Sequence, residues 1–273
     1  MKPIIISADD YAQSCAIDDA IIRLIQKERL SATSCLTLSP HWPQAAKLLT
    51  GDVRAKADIG LHLDFTQYGQ SIKLPLPTLI LRTFIRSLPS TKIEASINQQ
   101  LDKFEEALGS QPDYVDGHQH VHQLPQIRDA LIDILKKRYP NRLPWIRIAK
   151  PPIQDGIKGM IISMLGANTL ANKARRAGFR CSFQLLGVYE FNGSTADYLR
   201  KLTDWFHYAQ CARHHQVHAF MCHPAIEEHS SDHIETDDMI YPARLREYEV
   251  FSSDQFARLL TQHQLYIARG NAL

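Results

Sequence analysis

Short apolar runs alternate with amphipathic stretches along the whole chain. The alternation predicts strands over residues 3–8, 33–38, 57–63, 113–117, 144–149, 181–186, 217–222 and 264–268. Between them it predicts helices over 16–28, 42–50, 91–109, 125–138, 156–177, 195–212 and 253–262. The 91–109 segment carries the fullest helical signature: Ile93, Ile97, Leu101, Phe104 and Leu108 recur at spacings of three and four, Thr91 with Glu94 reads as a capping box, and Gly109 ends the pattern. Pro125 suits the first turn of the helix after it. Strands and helices in strict alternation imply parallel strands joined by crossovers, and seven or eight such units in 273 residues imply a closed or nearly closed barrel, read here as one domain over 1–273. Residues 66–90 and 224–241 interrupt the pattern, each after a strand that carries candidate chemistry, and read as long loops on the active face.

Polar residues are unevenly placed on this frame. The run Ile4-Ile5-Ile6 ends in Ser7-Ala8-Asp9-Asp10; the third strand closes with Gly60-Leu61-His62-Leu63-Asp64; the fourth leads into Asp116-Gly117-His118-Gln119-His120-Val121-His122. Arg147 lies in the fifth strand and His223 ends the seventh. In a parallel barrel the carboxyl ends converge on one mouth, so residues distant in sequence can share a metal ion. Imidazole is the commonest side-chain ligand for a catalytic divalent metal. These segments supply a His/His/Asp ligand set with a spare carboxylate, the minimum for a metal-assisted hydrolase.

Each element also has an ordinary structural reading. An Asp pair after a strand often caps a helix, a lone His on an apolar strand is commonly a hydrogen-bonded core residue, and Arg147 could pair with a core carboxylate. All of these would have to hold at once, at the same end of different strands. On an extended chain Asp9 and Asp10 point oppositely, so both can serve one site only if the chain turns where the strand ends. Arg147 is placed to orient Asp9. His120, His122 and Asp64 read as substrate-side or supporting groups, with His122 the better placed to reach the metal if the turn after His118 is helical.

Composition narrows the partners. The net charge of +2 comes from 31 basic and 29 acidic residues spread along the chain, which gives no electrostatic case for nucleic acid or an anionic membrane. Five cysteines without a Cys-x-x-Cys pair argue against a disulfide framework and a cysteine-rich zinc site, and so for a reducing compartment. With no leader pattern or membrane span read from the sequence, the expectation is a cytoplasmic protein, plausibly a homodimer.

The segments Ala8-Asp9-Asp10, Gly60-Leu61-His62-Leu63, Asp116 to His122, Ile146-Arg147-Ile148 and Met221-Cys222-His223-Pro224, in that order over nearly the whole chain, resemble the YdjC-like carbohydrate deacetylases, which include chitooligosaccharide and hopanoid-pathway deacetylases. The resemblance implies an irregular (β/α) barrel of the glycoside hydrolase/deacetylase type and one divalent ion, Zn2+ or Mg2+. It further implies removal of an N-acetyl group from an amino sugar. It assigns Asp10, His62 and His118 to the metal, Asp9 as general base and His223 as general acid. Two positions depart from the family pattern: Tyr11-Ala12 stands where Phe-Gly is usual, and Ala225 where Gly is usual. A metal-dependent amidohydrolase or phosphoesterase and a non-catalytic sugar-binding protein are the alternatives.

Overall fold

The computed structural model describes residues 1–213, 216–227 and 238–273. Its eight strands, all paired in parallel, are β1 (Lys2–Tyr11), β2 (Ala32–Cys35), β3 (Asp58–Leu63), β4 (Tyr114–Gly117), β5 (Trp145–Ile146), β6 (Leu185–Leu186), β7 (His218–Cys222) and β8 (Leu265–Ile267). The order is β5-β4-β3-β2-β1-β7-β6, with β8 on β1. Ile4 of β1 pairs with His218 of β7 and with Ile267 of β8, so β8 takes the lower part of the edge that β2 covers higher up. One parallel bridge, Ile146↔Cys181, joins the two ends of the sheet. The result is the irregular barrel expected from the alternation of elements.

The helices that cover the sheet are α1 (Cys15–Gln26), α2 (Trp42–Leu48), α3 (Gly51–Lys56), α4 (Leu76–Phe84), α5 (Ser90–Leu108), α6 (Ile127–Arg138), α7 (Gly156–Met164), α8 (Ala167–Arg176), α9 (Thr195–Cys211), α10 (Tyr241–Ser252) and α11 (Asp254–Gln262). They bury the faces their spacing dictates. On α5, Ile93, Ile97, Leu101 and Phe104 pack into the core, and Gly109 closes the helix in the left-handed region. Among the described residues no helix is long and apolar enough to cross a membrane.

Several local expectations are corrected. The helix over 91–109 starts at Ser90 behind Pro89, with no side-chain cap, so the Thr91–Glu94 box does not form. Pro125 lies ahead of α6, whose N-cap is Gln126. The segment 156–177 divides into α7 and α8 at Gly166 (φ 134°), where a Cβ would lie 2.3 Å from the Gln123 carbonyl oxygen. Residues 66–90 contain α4, and the polar helix α10 follows a stretch expected to be loop; residues 228–237 of that stretch lie outside the described residues. The fifth and sixth strands shrink to two residues each, and the chains beside them are joined by the Ile146↔Cys181 bridge and by the Leu185 N–H donating to the Lys150 carbonyl.

The end of β1 positions the chemistry. Its register with β2 shifts between Ala8 and Tyr11, and Asp10 (φ 66°) and Ala12 (φ 74°) both adopt left-handed backbone. The turn is held by the Ala12 N–H donating to Asp18 Oδ1 at 2.6 Å and the Gln13 N–H donating to the Asp10 carbonyl at 3.0 Å. An alanine thus occupies a conformation that costs an L-residue about 1–2 kcal/mol. Ala12 and Ala20 are equally buried, and Ala20 lies in regular helix. Ala12→Gly and Ala20→Gly remove the same methyl group, so the first is expected to cost about 2 kcal/mol less in a denaturant titration. Equal losses would show that Ala12 carries no backbone strain.

Candidate active site

The bulge at the end of β1 turns both aspartates toward one mouth. Asp10 Oδ1 lies 3.0 Å from His118 Nδ1 and 3.4 Å from His62 Nε2, and one donor atom from each of the three lies within 4.8 Å of the others. His62 projects from β3, and His118 follows β4 directly. The other ring nitrogen of His62, Nδ1, is 2.7 Å from Asp116 Oδ1 and 3.0 Å from Ser34 Oγ, which turns its Nε2 toward Asp10. A carboxylate behind an imidazole is the usual way to orient a metal-ligating histidine.

Behind this cluster lies a buried ion-pair network. Arg147 donates to both oxygens of Asp9, Nη1 to Oδ1 at 2.5 Å and Nη2 to Oδ2 at 2.6 Å. It also reaches Ser7 Oγ at 3.2 Å and Asp116 Oδ2 at 3.0 Å. In front, Arg244 of α10 donates from Nη2 to Asp10 Oδ2 at 2.8 Å and from Nε to Asp238 Oδ2 at 2.5 Å. Burial opposes charge on Asp10, but Arg244, His118 and His62 hold its carboxyl well below the ordinary range. Burial likewise opposes charge on Asp116, which Arg147 and His62 hold down to about 2. Burial disfavours the imidazolium of His62 as well, yet Asp116, Asp9 and Asp10 push it up to about 10. Four carboxylates, Asp9, Asp10, Asp116 and Asp238, face two guanidiniums, an excess of negative charge that a proton on His62 or a bound cation would offset in part.

His223 directly follows β7 with its ring edge-on to Phe191 at 5.2 Å, and its buried Nδ1 has no hydrogen-bond partner among the described residues. Burial is the largest influence on its imidazole, whose pKa is lowered to about 4, with Arg244 pulling the same way against Asp10 and Asp9. Its backbone N–H donates to Glu247 Oε2 at 2.5 Å, and the Tyr189 hydroxyl donates to Glu247 Oε1 at 2.6 Å. Burial pushes the Glu247 carboxyl up to about 7.

Two expected site residues lie elsewhere. His122 is not one helical turn from His118, because Gln119 (φ 51°) and His120 (φ 61°) break the turn. Its Nε2 instead donates to the Arg147 carbonyl at 2.8 Å, against Gly117, where a Cβ would come within 2.9 Å of the ring. His122 therefore ties the end of β4 to the chain after β5. Asp64 turns into its own loop and accepts from the backbone N–H groups of Thr66, Gln67 and Tyr68 at 2.8, 3.0 and 2.6 Å, so it braces that loop and does not line the cavity. His120 does line it, buried and with Nδ1 without a hydrogen-bond partner among the described residues; burial, then Arg147, holds its imidazole well below the ordinary value.

Asp116, Arg244 and Glu247 were not singled out from the sequence. Asp116 stands inside the histidine motif, and a carboxylate on a buried strand was its available signal. Arg244 and Glu247 lie three apart on the buried side of α10, a helix whose apolar residues form no stripe. A cavity of about 1390 Å³ opens over Asp9, Asp10, His62, His118, His120, His223 and Arg244, with Arg147 beneath its floor.

Residues 3–262 match the sequence profile of the YdjC-like protein family. The chain belongs to that family. This YdjC-like chain is 25% identical over 169 residues to a carbohydrate deacetylase of Danio rerio, covering 57% of this chain and 51% of that one. It is 28% identical over 145 residues to a chitooligosaccharide deacetylase of Proteus mirabilis, covering 50% of this chain and 56% of that one. The matched stretch thus spans about half the length of these relatives. An Enterococcus faecalis protein described as a cellobiose-phosphate cleavage protein shares the fold at TM-score 0.71 and 18% identity, over 99% of this chain and 98% of its own.

In metal-free protein His62 is expected to titrate near 10, and His122 and His223 near 4, read from imidazole nitrogen shifts. Asp116→Asn should move His62 toward its ordinary 6.5. The signs follow from linkage. His62, raised on folding, contributes stability below 6.5 that is lost as pH rises toward 10; His122 and His223, lowered, contribute stability that is lost as pH falls from 6.5 to 4. A His62 that titrates near 6.5 in the metal-free protein would remove the carboxylate cage as its partner.

Proposed function

We propose that this site is a metal-dependent hydrolase that removes the acetyl group from an N-acetylated amino sugar, with a zinc or magnesium ion held by Asp10, His62 and His118. The observation that carries the proposal is the oxygen and two nitrogens of that triad, convergent above a surplus negative charge, with Asp10 and His62 buried and His118 partly so. Their separations of 3.0 and 3.4 Å match those of ligands about 2.0–2.2 Å from a common ion. A divalent ion there supplies charge stabilisation and lowers the pKa of water from about 15.7 toward roughly 7. The deacetylase names of the curated relatives support the same reaction.

The chain's own groups divide the remaining work. Asp9, fixed by both arms of Arg147, has lone pairs left to accept a proton from the attacking water. Arg147 holds that carboxylate at one angle to the triad. His223 lines the cavity along with Asp9 and protonates the departing amine with the proton that Asp9 has taken from the attacking water, relayed to its imidazole as the C–N bond breaks. Burial makes it neutral at the outset. Asp9 and Asp10 favour its protonated form, and negative charge building on the substrate adds to their pull. Every one of these side chains sits on or directly after a strand of one sheet, apart from Arg244, which supports a single catalytic domain over 1–273.

Asp10→Ala, His62→Ala and His118→Ala are each expected to lose bound metal in elemental analysis, since each removes one of three protein ligands. Asp9→Asn should keep the metal and lower turnover about 10²-fold or more. Acetate released without phosphate separates the deacetylase from a phosphoesterase, and no turnover at all would leave a sugar-binding protein.

His223→Ala should slow hydrolysis of an amide more than that of an activated acetyl ester, because a phenolate leaves without a proton and an amine does not. If both substrates fall by the same factor, His223 is not the general acid.

A further inference from the structure

His62 and His223 both face the cavity, but they are held in place by different means. Asp116 stands behind Nδ1 of His62 at 2.7 Å and fixes that ring directly. Among the described residues no carboxylate does the same for His223, whose buried Nδ1 is without a hydrogen-bond partner there. Such a ring takes its direction from its own backbone and from the side chains packed against it.

Both of these lead to Glu247 on α10. Its Oε2 accepts the His223 backbone N–H at 2.5 Å, and its Oε1 accepts the Tyr189 hydroxyl at 2.6 Å. The Tyr189 ring lies 4.8 Å from that of Phe191, and Phe191 meets the His223 imidazole edge-on at 5.2 Å. One carboxylate therefore fixes the peptide that carries the imidazole and the aromatic pair that flanks it. Glu247, Tyr189 and His223 are all buried, so water does not take over either contact. Glu247 itself is not part of the cavity lining and reaches the reaction only through these neighbours. Three residues earlier on the same helix, Arg244 donates to Asp10 Oδ2 at 2.8 Å. Its carbonyl accepts the Ala225 N–H at 3.2 Å, which lays the chain after His223 along the helix. The helix α10 thus spans from the proposed metal ligand to the proposed acid.

We propose that Glu247 is the positioning residue of the protonation step: it aims the His223 imidazole at the leaving amine through the His223 amide on one side and the Tyr189–Phe191 ring pair on the other. The proposal rests on the deacetylase reading for the reaction and on these contacts for the placement.

Glu247→Met keeps the bulk and removes both acceptors, whereas Glu247→Gln retains a carbonyl for the His223 amide and an NH2 that donates to the Tyr189 oxygen. A reacting group misplaced by about 1 Å costs on the order of 10²-fold, so Glu247→Met should lower kcat for the amide by about that factor. KM should stay within about threefold, and an activated acetyl ester should lose less than about tenfold. Glu247→Gln should recover amide turnover to within about fivefold of the unaltered protein. In a His223→Ala background Glu247→Met should slow the amide no more than about twofold further, because the group it places is gone. Tyr189→Phe removes one arm and keeps the ring, and it carries the same test if Glu247→Met does not fold, with an amide loss of about three- to tenfold and an ester loss under about twofold. Equal losses on amide and ester, or a loss that persists undiminished without His223, reduce Glu247 to a structural brace and overturn the proposal.

Nuclear Overhauser contact between the His223 and Phe191 ring protons in the metal-free protein reads the placement without turnover. It should weaken in Glu247→Met and persist in Glu247→Gln. An unchanged contact in Glu247→Met overturns the positioning role whether or not acetate is released. A contact that weakens as expected, in a protein whose unaltered form releases no acetate, upholds the hold of Glu247 on His223 and overturns the deacetylase reading.

Discussion

A guanidinium with no exposed surface holds the centre of this barrel together. Arg147 lies between Asp9 at the end of β1 and Asp116 in β4, and Asp116 in turn fixes His62 of β3. Removal of one partner from such a buried ion pair costs about 3–5 kcal/mol, because the other charge is left without compensation. Strand positions on opposite sides of β2 are therefore coupled through charge as well as through the backbone ladder. The same interaction settles which face of each imidazole and carboxylate is free, so fold stability and site geometry share one set of atoms.

Much of this was legible in the chain. Apolar runs separated by amphipathic stretches imply a parallel barrel, and a parallel barrel brings strand ends to one mouth; on that basis Asp9, Asp10, His62, His118, Arg147 and His223 are expected near each other, and the structure places them so. What escaped depended on single backbone torsions. Left-handed residues at 119 and 120 rotate His122 away from His118, and the turn after β3 folds Asp64 onto its own amides. Neither event leaves a mark in periodicity.

Arg244 and Glu247 escaped for a different reason. Their helix buries charged side chains against the site, so its inward face reads as polar, and a search for apolar stripes passes over it. Buried charge becomes visible only when its partners, Asp10 for Arg244 and the His223 amide for Glu247, are in place. The long segments read as loops misled in a similar way, because α4 keeps much of its apolar surface outside the core.

The bridge between Ile146 and Cys181 makes the barrel wall unequal around its circumference. Strands β1 to β4 and β7 are laced to their neighbours along several residues, whereas β5 meets the chain leading into β6 through the single bridged pair Ile146↔Cys181. The chain between those two short strands carries α7 and α8. Hydrogen exchange at this seam needs few backbone bonds to open, so it belongs to the least protected part of the sheet. Asp10 and His62 stand on the firmly laced strands β1 and β3, and the cavity-lining Ile157, Ile161 and Ile162 of α7 hang from the seam. A molecule of this design can widen one side of its cavity to suit a guest and leave the spacing of Asp10, His62 and His118 as it was.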